Sequence, residues 1–550
     1  MLSRKIPGLL VSLAILLIAG AAAGGVVTVP GDYALIYDAV QACPAGDTVL
    51  VAAGTYTDCT HETEGPGSTP ACVIMKTGVT LRGAGKDATI IDAGGLGRGI
   101  FVEYVTDVRI ENLQVRNAFA EVYGAGILLR HVDATVEMND LKIFETGDGG
   151  IICINEASPV MRRVDFIGNY AKQGGGLALE ENSHAQVTDC YFYDNSAPSG
   201  GAIFIRQNSN ATLTGCELDA NFVDSPYTAG GGLTVNASSP TISDCVFTNN
   251  VTQGTGGGVA FINGAGGVME DCVLSGNDAA FANYGGGGGI SVESSTPIIR
   301  RCLIVENTSS GYSTDGGGMY LLFASPTIEN CTIAYNSTSA TGTAGAIACL
   351  YSGTPIIDKC IIANSTVGAG ITCGGATPTI SCTDVWGNAG GDALCGTDGG
   401  GNFSLDPMFC LNAEVPYNLQ NASPCAPGNH PAGAGTCDDA LIGSNPVGCG
   451  TGIADTTPQP ARLVGNAPNP FNPNTRIFFV LDSAGFASLR VYDIGGRLVR
   501  ILHDGHLGAG EHVISWDGRD QGGRAASSGV YFYELEALGI NQARQMILVK

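Results

Sequence analysis

The chain has 550 residues, 44% of them hydrophobic and 14% charged, a balance that excludes intrinsic disorder and leaves room for more than one domain. Glycine occupies 81 positions, about double the usual share and without a collagen period, so turns must be frequent. A formal charge of −25 excludes nucleic acid as a partner, because phosphate binding needs a basic surface; it keeps an extracellular chain soluble and suits calcium or a neutral sugar better.

The first segment reads MLSRKIPGLLVSLAILLIAGAAAGG. Arg4 and Lys5 precede an apolar run from Leu9 to Ala19, and Ala21 to Ala23 suit a signal peptidase. Residues 1–23 are therefore expected to be a secretory signal, too short and too early for an ordinary membrane anchor. No cysteine follows it directly, which argues against a lipoprotein, and no other apolar run is long enough to span a bilayer. The mature chain is expected to be exported, without a transmembrane segment.

From there a glycine-rich unit repeats. GGLTVNASSPTISDCVFTNN at Gly231 to Asn250 returns as GGISVESSTPIIRRCLIVEN at Gly288 to Asn307 and as GGMYLLFASPTIENCTIAYN at Gly317 to Asn336. Aligned on the cysteine, one column runs Leu113, Leu141, Val164, Cys190, Cys216, Cys245, Cys272, Cys302, Cys331, Cys360. The columns two residues later (Val115 to Ile362) and three residues earlier (Ile110 to Ile357) are apolar throughout. A second strand follows each glycine cluster, with apolar positions two apart, from Ile127 and Leu129 through Ile203 and Ile205 to Ile371 and Cys373. Each coil is thus expected to supply at least two short strands whose faces are buried only when coils stack, the logic of a solenoid. Ser-Pro or Thr-Pro marks strand entry at Pro159, Pro240, Pro297, Pro326, Pro355 and Pro378. Asn169, Asn195, Asn221, Asn250, Asn277, Asn307 and Asn336 form a column at a bend, expected to be a structural asparagine ladder.

These columns, with the opening VPGDYALIYDAVQACPAGDTVLVAAGTY and the closing SCTDVWGN, GNFSLDP and NLQNASPC, resemble the right-handed parallel β-helix family of pectate-lyase-like architecture, over residues 26–450. The resemblance implies a short amphipathic segment plugging the first coil, with Ala34, Leu35, Ala39 and Val40 as its buried stripe. A thiol is small and apolar enough for a packed interior, and side chains stacked about 4.8 Å apart are wrongly aimed for a disulfide. The seven aligned cysteines are therefore expected to be reduced and buried. No two of them have metal-site spacing. Cys59 with Cys72, and some of Cys395, Cys410, Cys425, Cys437 and Cys449, lie in loops where an oxidising compartment could close bridges.

After Cys449 the composition changes. IADTTPQPARL places a linker at 451–461, and no cysteine follows. In residues 462–550 the runs RIFFVL, SLRVYDI, LVRIL, HVISW, GVYFYELE and RQMILV alternate between turns, as in a small immunoglobulin-like β-sandwich. NAPNPFNPNT, VYDIGGRLV, GEHVISWDGRD, SSGVYFYEL and the final RQMILVK resemble a type IX secretion C-terminal sorting domain, related to the immunoglobulin-like domain of flagellar hook-capping proteins. That resemblance implies the type IX machinery as a partner and a secreted or outer-membrane-surface location in a Gram-negative-type bacterium. The fold class is therefore expected to be all-β, a right-handed parallel β-helix solenoid followed by an immunoglobulin-like sandwich.

Chemistry is less legible. A pectate-lyase-like enzyme would need carboxylates on adjacent coils to hold calcium, and an Arg or Lys to remove the proton that calcium acidifies. The column just before the cysteine supplies candidates in Asp244, Asp271 and Arg301, which a structural charge ladder explains equally well. A second outward column carries Arg130, Glu180, Arg206, Asn236 and Glu293 for sugar hydroxyls, with Phe204 and Tyr320 as candidate stacking platforms. No metal ligand set is assigned, and no Ser-His-Asp set, phosphate loop or H-E-x-x-H motif occurs. The reading adopted is a secreted or cell-surface β-helix binding polysaccharide or another surface partner. The alternatives are a calcium-dependent polysaccharide lyase or a glycoside hydrolase, and a purely structural stalk.

Overall fold

The computed structural model describes residues 24–63, 69–120, 124, 126–226, 229–280, 285–311, 314–339, 342–410, 416–433, 435–449, 461–467, 473–481, 483–493, 497–527 and 529–548. The expected signal segment and linker residues 451–460 lie outside them. Contacts divide the chain into two compact units, Met1–Leu405 with Leu441–Ser444, and Asp406–Ala440 with Asn445–Lys550. No helix among the described residues is long and apolar enough to cross a membrane.

The first unit is a parallel β-helix. Three long sheets of 15, 13 and 12 strands run along it, each strand pairing in parallel with its counterparts on the preceding and following coils. One coil shows the pattern. Leu233–Asn236 lies in the 12-stranded sheet (sheet 3), Thr241–Ser243 in the 15-stranded sheet (sheet 1) and Val246–Thr248 in the 13-stranded sheet (sheet 2). Val251–Thr252 then adds to a shorter six-stranded sheet before the glycine cluster returns the chain to sheet 3. Register keeps like over like: Ile242 sits between Leu213 and Met269, and Phe247 between Leu218 and Leu274. All of these are fully buried, at roughly 1.5–3 kcal/mol for each large aliphatic side chain.

The coil carries four strands where the alternation predicts at least two. The apolar positions before and after the cysteine belong to different sheets, because the residue immediately before the cysteine is left-handed in every coil, with φ of 54° at Asp244, 54° at Asp271 and 52° at Arg301. A left-handed residue cannot continue a strand, so the chain turns a corner there. The first coil is closed by the helix Ile36–Ala42, which buries Ile36, Ala39 and Val40. Leu35 is its N-cap and Ala34 is exposed, so Ile36 takes the place those two were expected to fill.

The cysteine column is buried as expected, each of the seven thiols at 2% exposure or less and unbridged. Burial pushes the Cys302 and Cys331 thiols well above their ordinary range. Cys59 pairs with Cys72, and Cys410 with Cys449. Cys373, expected as an ordinary inward position, is instead bridged to Cys395.

In the second unit, Ala461–Ala467, Thr475–Leu481 and Gly510–Trp516 form one antiparallel sheet. Gly485–Asp493, Leu498–Leu507, Gly529–Ala537 and Ile540–Leu548 form the other. Their facing side chains, including Phe479, Leu489, Trp516 and Tyr533, make a single buried core. This is the expected sandwich.

Candidate functional site

Asp244, Asp271 and Arg301 lie at the corner between sheets 1 and 2, on successive coils. Arg301 donates Nε and Nη2 to the two oxygens of Asp271 at 2.8 and 2.7 Å, and Nη2 also to Glu270 Oε2 at 2.7 Å. These bonds hold Asp271 below the usual carboxylate range and move Arg301 further from losing its proton. An arginine so held cannot act as a base, and both Asp271 oxygens are occupied. Among the described residues no three His, Cys, Asp or Glu side chains converge as metal ligands. The residues present therefore do not fit a calcium and base site, and the corner's preference for Asp, Asn and Gly follows from its left-handed backbone.

The second outward column is real and continuous on sheet 3. Arg206 pairs with Asn236, Asn236 with Ile262, Ile262 with Glu293, and Glu293 with Leu322. Its early members are engaged with one another or their neighbours. Arg206 bonds Glu180 at 2.6 Å, and Arg130 bonds Glu103 at 2.8 Å while lying 5.0 Å from the centre of the Phe101 ring. Phe204 is only 2% exposed, so it does not offer a platform to solvent. The sheet's outward positions here are an apolar, covered layer, including Phe101, Leu128, Ile152 and Ala178.

Tyr320 differs, because it lines a cleft of about 720 Å³. Glu293, Phe323 and Tyr351 line the same cleft, with Thr255 and Asn263. Phe323 and Tyr351 occupy the left-handed corner between sheets 3 and 1, at φ of 50° and 61°. That backbone throws their side chains outward, so they are 51% and 57% exposed, and their rings stack at 4.8 Å between centroids. Preceding coils place Ala237, Asn263 and Ser294 at the same corner. The column thus steps from small to large, leaving room over the Phe323 face.

The polar groups of the cleft are set. Thr255 Oγ1 and Ser291 Oγ both donate to Glu293 Oε1, at 2.6 and 3.2 Å, which fixes the carboxylate and leaves Oε2 without a partner among the described residues. Tyr320 is 6% exposed, and no described group hydrogen-bonds its hydroxyl. Burial, with Glu293 next in weight, pushes that phenol up to about 12, so it stays a donor at any ordinary pH. Sequence reasoning found Tyr320 and Glu293 but missed Phe323 and Tyr351. The same corner column also carries the stacked pair Tyr104 and His131 on earlier coils, so an aromatic side chain at this position does not by itself single out the cleft.

A second group that sequence reasoning missed lies on the outer face of sheet 2. Tyr191 and Tyr193 stand 6.0 Å apart on one strand, and the next coil places Glu217 beside Tyr191 and Asp219 beside Tyr193. Asp219 is buried and accepts from Thr248 Oγ1 and Asn249 Nδ2, both at 2.8 Å. Burial, then Asp219, pushes the Glu217 carboxyl up.

Residues 77–247, 125–297 and 232–405 each match the right handed beta helix region, together more than half of the chain. The chain belongs to the right-handed β-helix family. Residues 476–539 match the FlgD Ig-like domain. Among curated proteins no match was found. Similar solved structures include dimeric latent PorU from Porphyromonas gingivalis, at 23% identity over 19% of this chain and 10% of that one, TM-score 0.15. The mannuronan C-5 epimerase A-module of Azotobacter vinelandii is 15% identical over 70% of this chain and 98% of that one, TM-score 0.33. A PL6 family alginate lyase is 16% identical over 69% of this chain and 53% of that one, TM-score 0.40. The similarity thus spans a tenth of the PorU chain and about half of the alginate lyase chain.

Proposed function

We propose that this β-helix protein is exported and binds a glycan in the cleft at Glu293, Tyr320, Phe323 and Tyr351. One observation carries the reading: exposed aromatic rings, a buried phenol donor and an oriented carboxylate with one open oxygen converge in a concave site. Sugars present apolar ring faces and hydroxyls, so they need an apolar surface with a few fixed polar groups. A purely structural stalk needs neither. Titration calorimetry against oligosaccharides tests it, with the Phe323→Ala/Tyr351→Ala double variant expected to lose at least tenfold in affinity, and unchanged affinity counting against the site.

Export in this reading uses the segment 1–23 at the inner membrane and the sandwich of 462–550, joined by 451–461 to the β-helix of 26–450, as a type IX sorting signal at the outer membrane. The ordered motifs from Asn466 to Lys550 support it. The protein would then work outside a Gram-negative-type cell, free or held at its surface.

One observation favours a glycoside hydrolase as a second reading. Glu217, with its raised proton affinity, stands beside the buried Asp219 and next to a tyrosine pair, as a general acid would. Release of reducing ends from a polysaccharide, abolished by Glu217→Gln, would establish it. The calcium-dependent lyase finds no comparable support at Asp244, Asp271 and Arg301.

A further inference from the structure

We infer that the cleft selects neutral sugar units and turns away uronates, an inference that rests on the glycan-binding reading above. Among the described residues its lining contains one carboxylate, Glu293, and no Lys, Arg or His. A uronate would bring a second negative charge into a site with no lining cation among the described residues to receive it, and like charges at short range repel. A second carboxylate, Asp315, lies close enough to act on Tyr320.

The hydrogen-bonding inventory points the same way. Glu293 Oε1 already accepts from Thr255 and Ser291, so Oε2 is the open acceptor, and an ionised carboxylate only accepts. A sugar hydroxyl can donate to it, whereas a uronate carboxylate cannot. Tyr320 as a residue is 6% exposed and lines the cleft, and its hydroxyl lacks a partner among the described residues. It offers one donor to a ring or hydroxyl oxygen of a bound sugar. The step in the corner column, from Ser294 to Phe323, leaves the ring face on which a pyranose can lie. Stacking needs no charge on the sugar.

The test uses the full chain and calorimetric titration with hexasaccharides of glucose, mannose and xylose, with hexamannuronate, and with the fully deacetylated glucosamine hexamer. At least one neutral hexasaccharide is expected to bind at least tenfold more tightly than hexamannuronate, a gap of about 1.4 kcal/mol. Glu293→Gln should narrow that gap by improving hexamannuronate, and Tyr320→Phe should weaken the neutral ligand several-fold while leaving the fold intact. Hexamannuronate binding as tightly as the best neutral ligand, and lost in Phe323→Ala/Tyr351→Ala, would overturn the selectivity and leave the glycan site standing. Tenfold preference for the glucosamine hexamer, abolished by Glu293→Gln, would overturn it in favour of a cationic sugar. Binding by none of the five, or binding that ignores Phe323 and Tyr351, would overturn both this inference and the reading it rests on.

Discussion

Asn250 ties three coils together with one amide. Its Nδ2 donates to Leu218 O at 2.8 Å and to Asn277 Oδ1 at 2.9 Å, while its Oδ1 accepts from the backbone and side chain of Asn221 at 3.0 and 2.9 Å. The same pattern repeats from Asn169 to Asn336, all of it fully buried. Asn250→Ala would strand buried donors on Asn221 and is expected to cost at least about 2 kcal/mol, read by urea denaturation. The neighbouring cysteine column carries no such demand. Cys272→Val should change stability by less than about 1 kcal/mol, whereas Cys272→Asp should cost several, and thiol reagents should label the seven only as the coil opens. Both ladders were legible in the sequence because a buried column admits few residue types and repeats them. The Cys373–Cys395 bridge was not, because pairing depends on where the loop at Cys395 meets the strand Ala369–Gly374.

The corner, rather than the strand, is the element whose reading changed. The residue before the cysteine was legible as outward-facing, and Asp244, Asp271 and Arg301 were open to a chemical reading or a structural charge ladder, whereas the feature the column shares is its left-handed backbone. If backbone conformation sets this column, Asp244→Gly should be tolerated within about 0.5 kcal/mol, while the β-branched Asp244→Val should cost about 1–2 kcal/mol. The ion pairs on this corner are surface pairs, worth at most about 1 kcal/mol each. Their pH dependence has a definite sign. Asp271 is held below its unfolded value of 3.8 by Arg301, so its contribution is present above that value and is lost as pH falls through the lower folded value. The stability difference between parent and Asp271→Asn should therefore shrink below about pH 4, and a difference that grew on acidification would refute the assignment. The opposite corner shows why half of the cleft escaped notice. Alternation specifies strand faces, and Phe323 and Tyr351 sit where alternation stops.

At the scale of the whole molecule, the two units have separate cores, and the final strand of the second is integral to it. Arg544 to Leu548 pair with Tyr533 to Gly529, and Met546 and Leu548 are buried. Deleting 544–550 should open that sheet edge, leave the β-helix melting as in the parent, and trap the protein in the periplasm of a host with type IX secretion. Export at the parent's level, followed by cell fractionation, would count against the sorting role. The fold of both units was legible from periodicity, whereas the site depends on where a column changes size, which only the assembled coils reveal. The most direct test of the glycan-binding claim is a crystal structure of the full chain soaked in the neutral hexasaccharide that binds best. A sugar ring lying on Phe323, with a hydroxyl on Glu293 Oε2 and an oxygen on the Tyr320 hydroxyl, is the predicted result. A sugar seated elsewhere, such as against Tyr191 and Tyr193 on sheet 2, with the cleft empty, would contradict it.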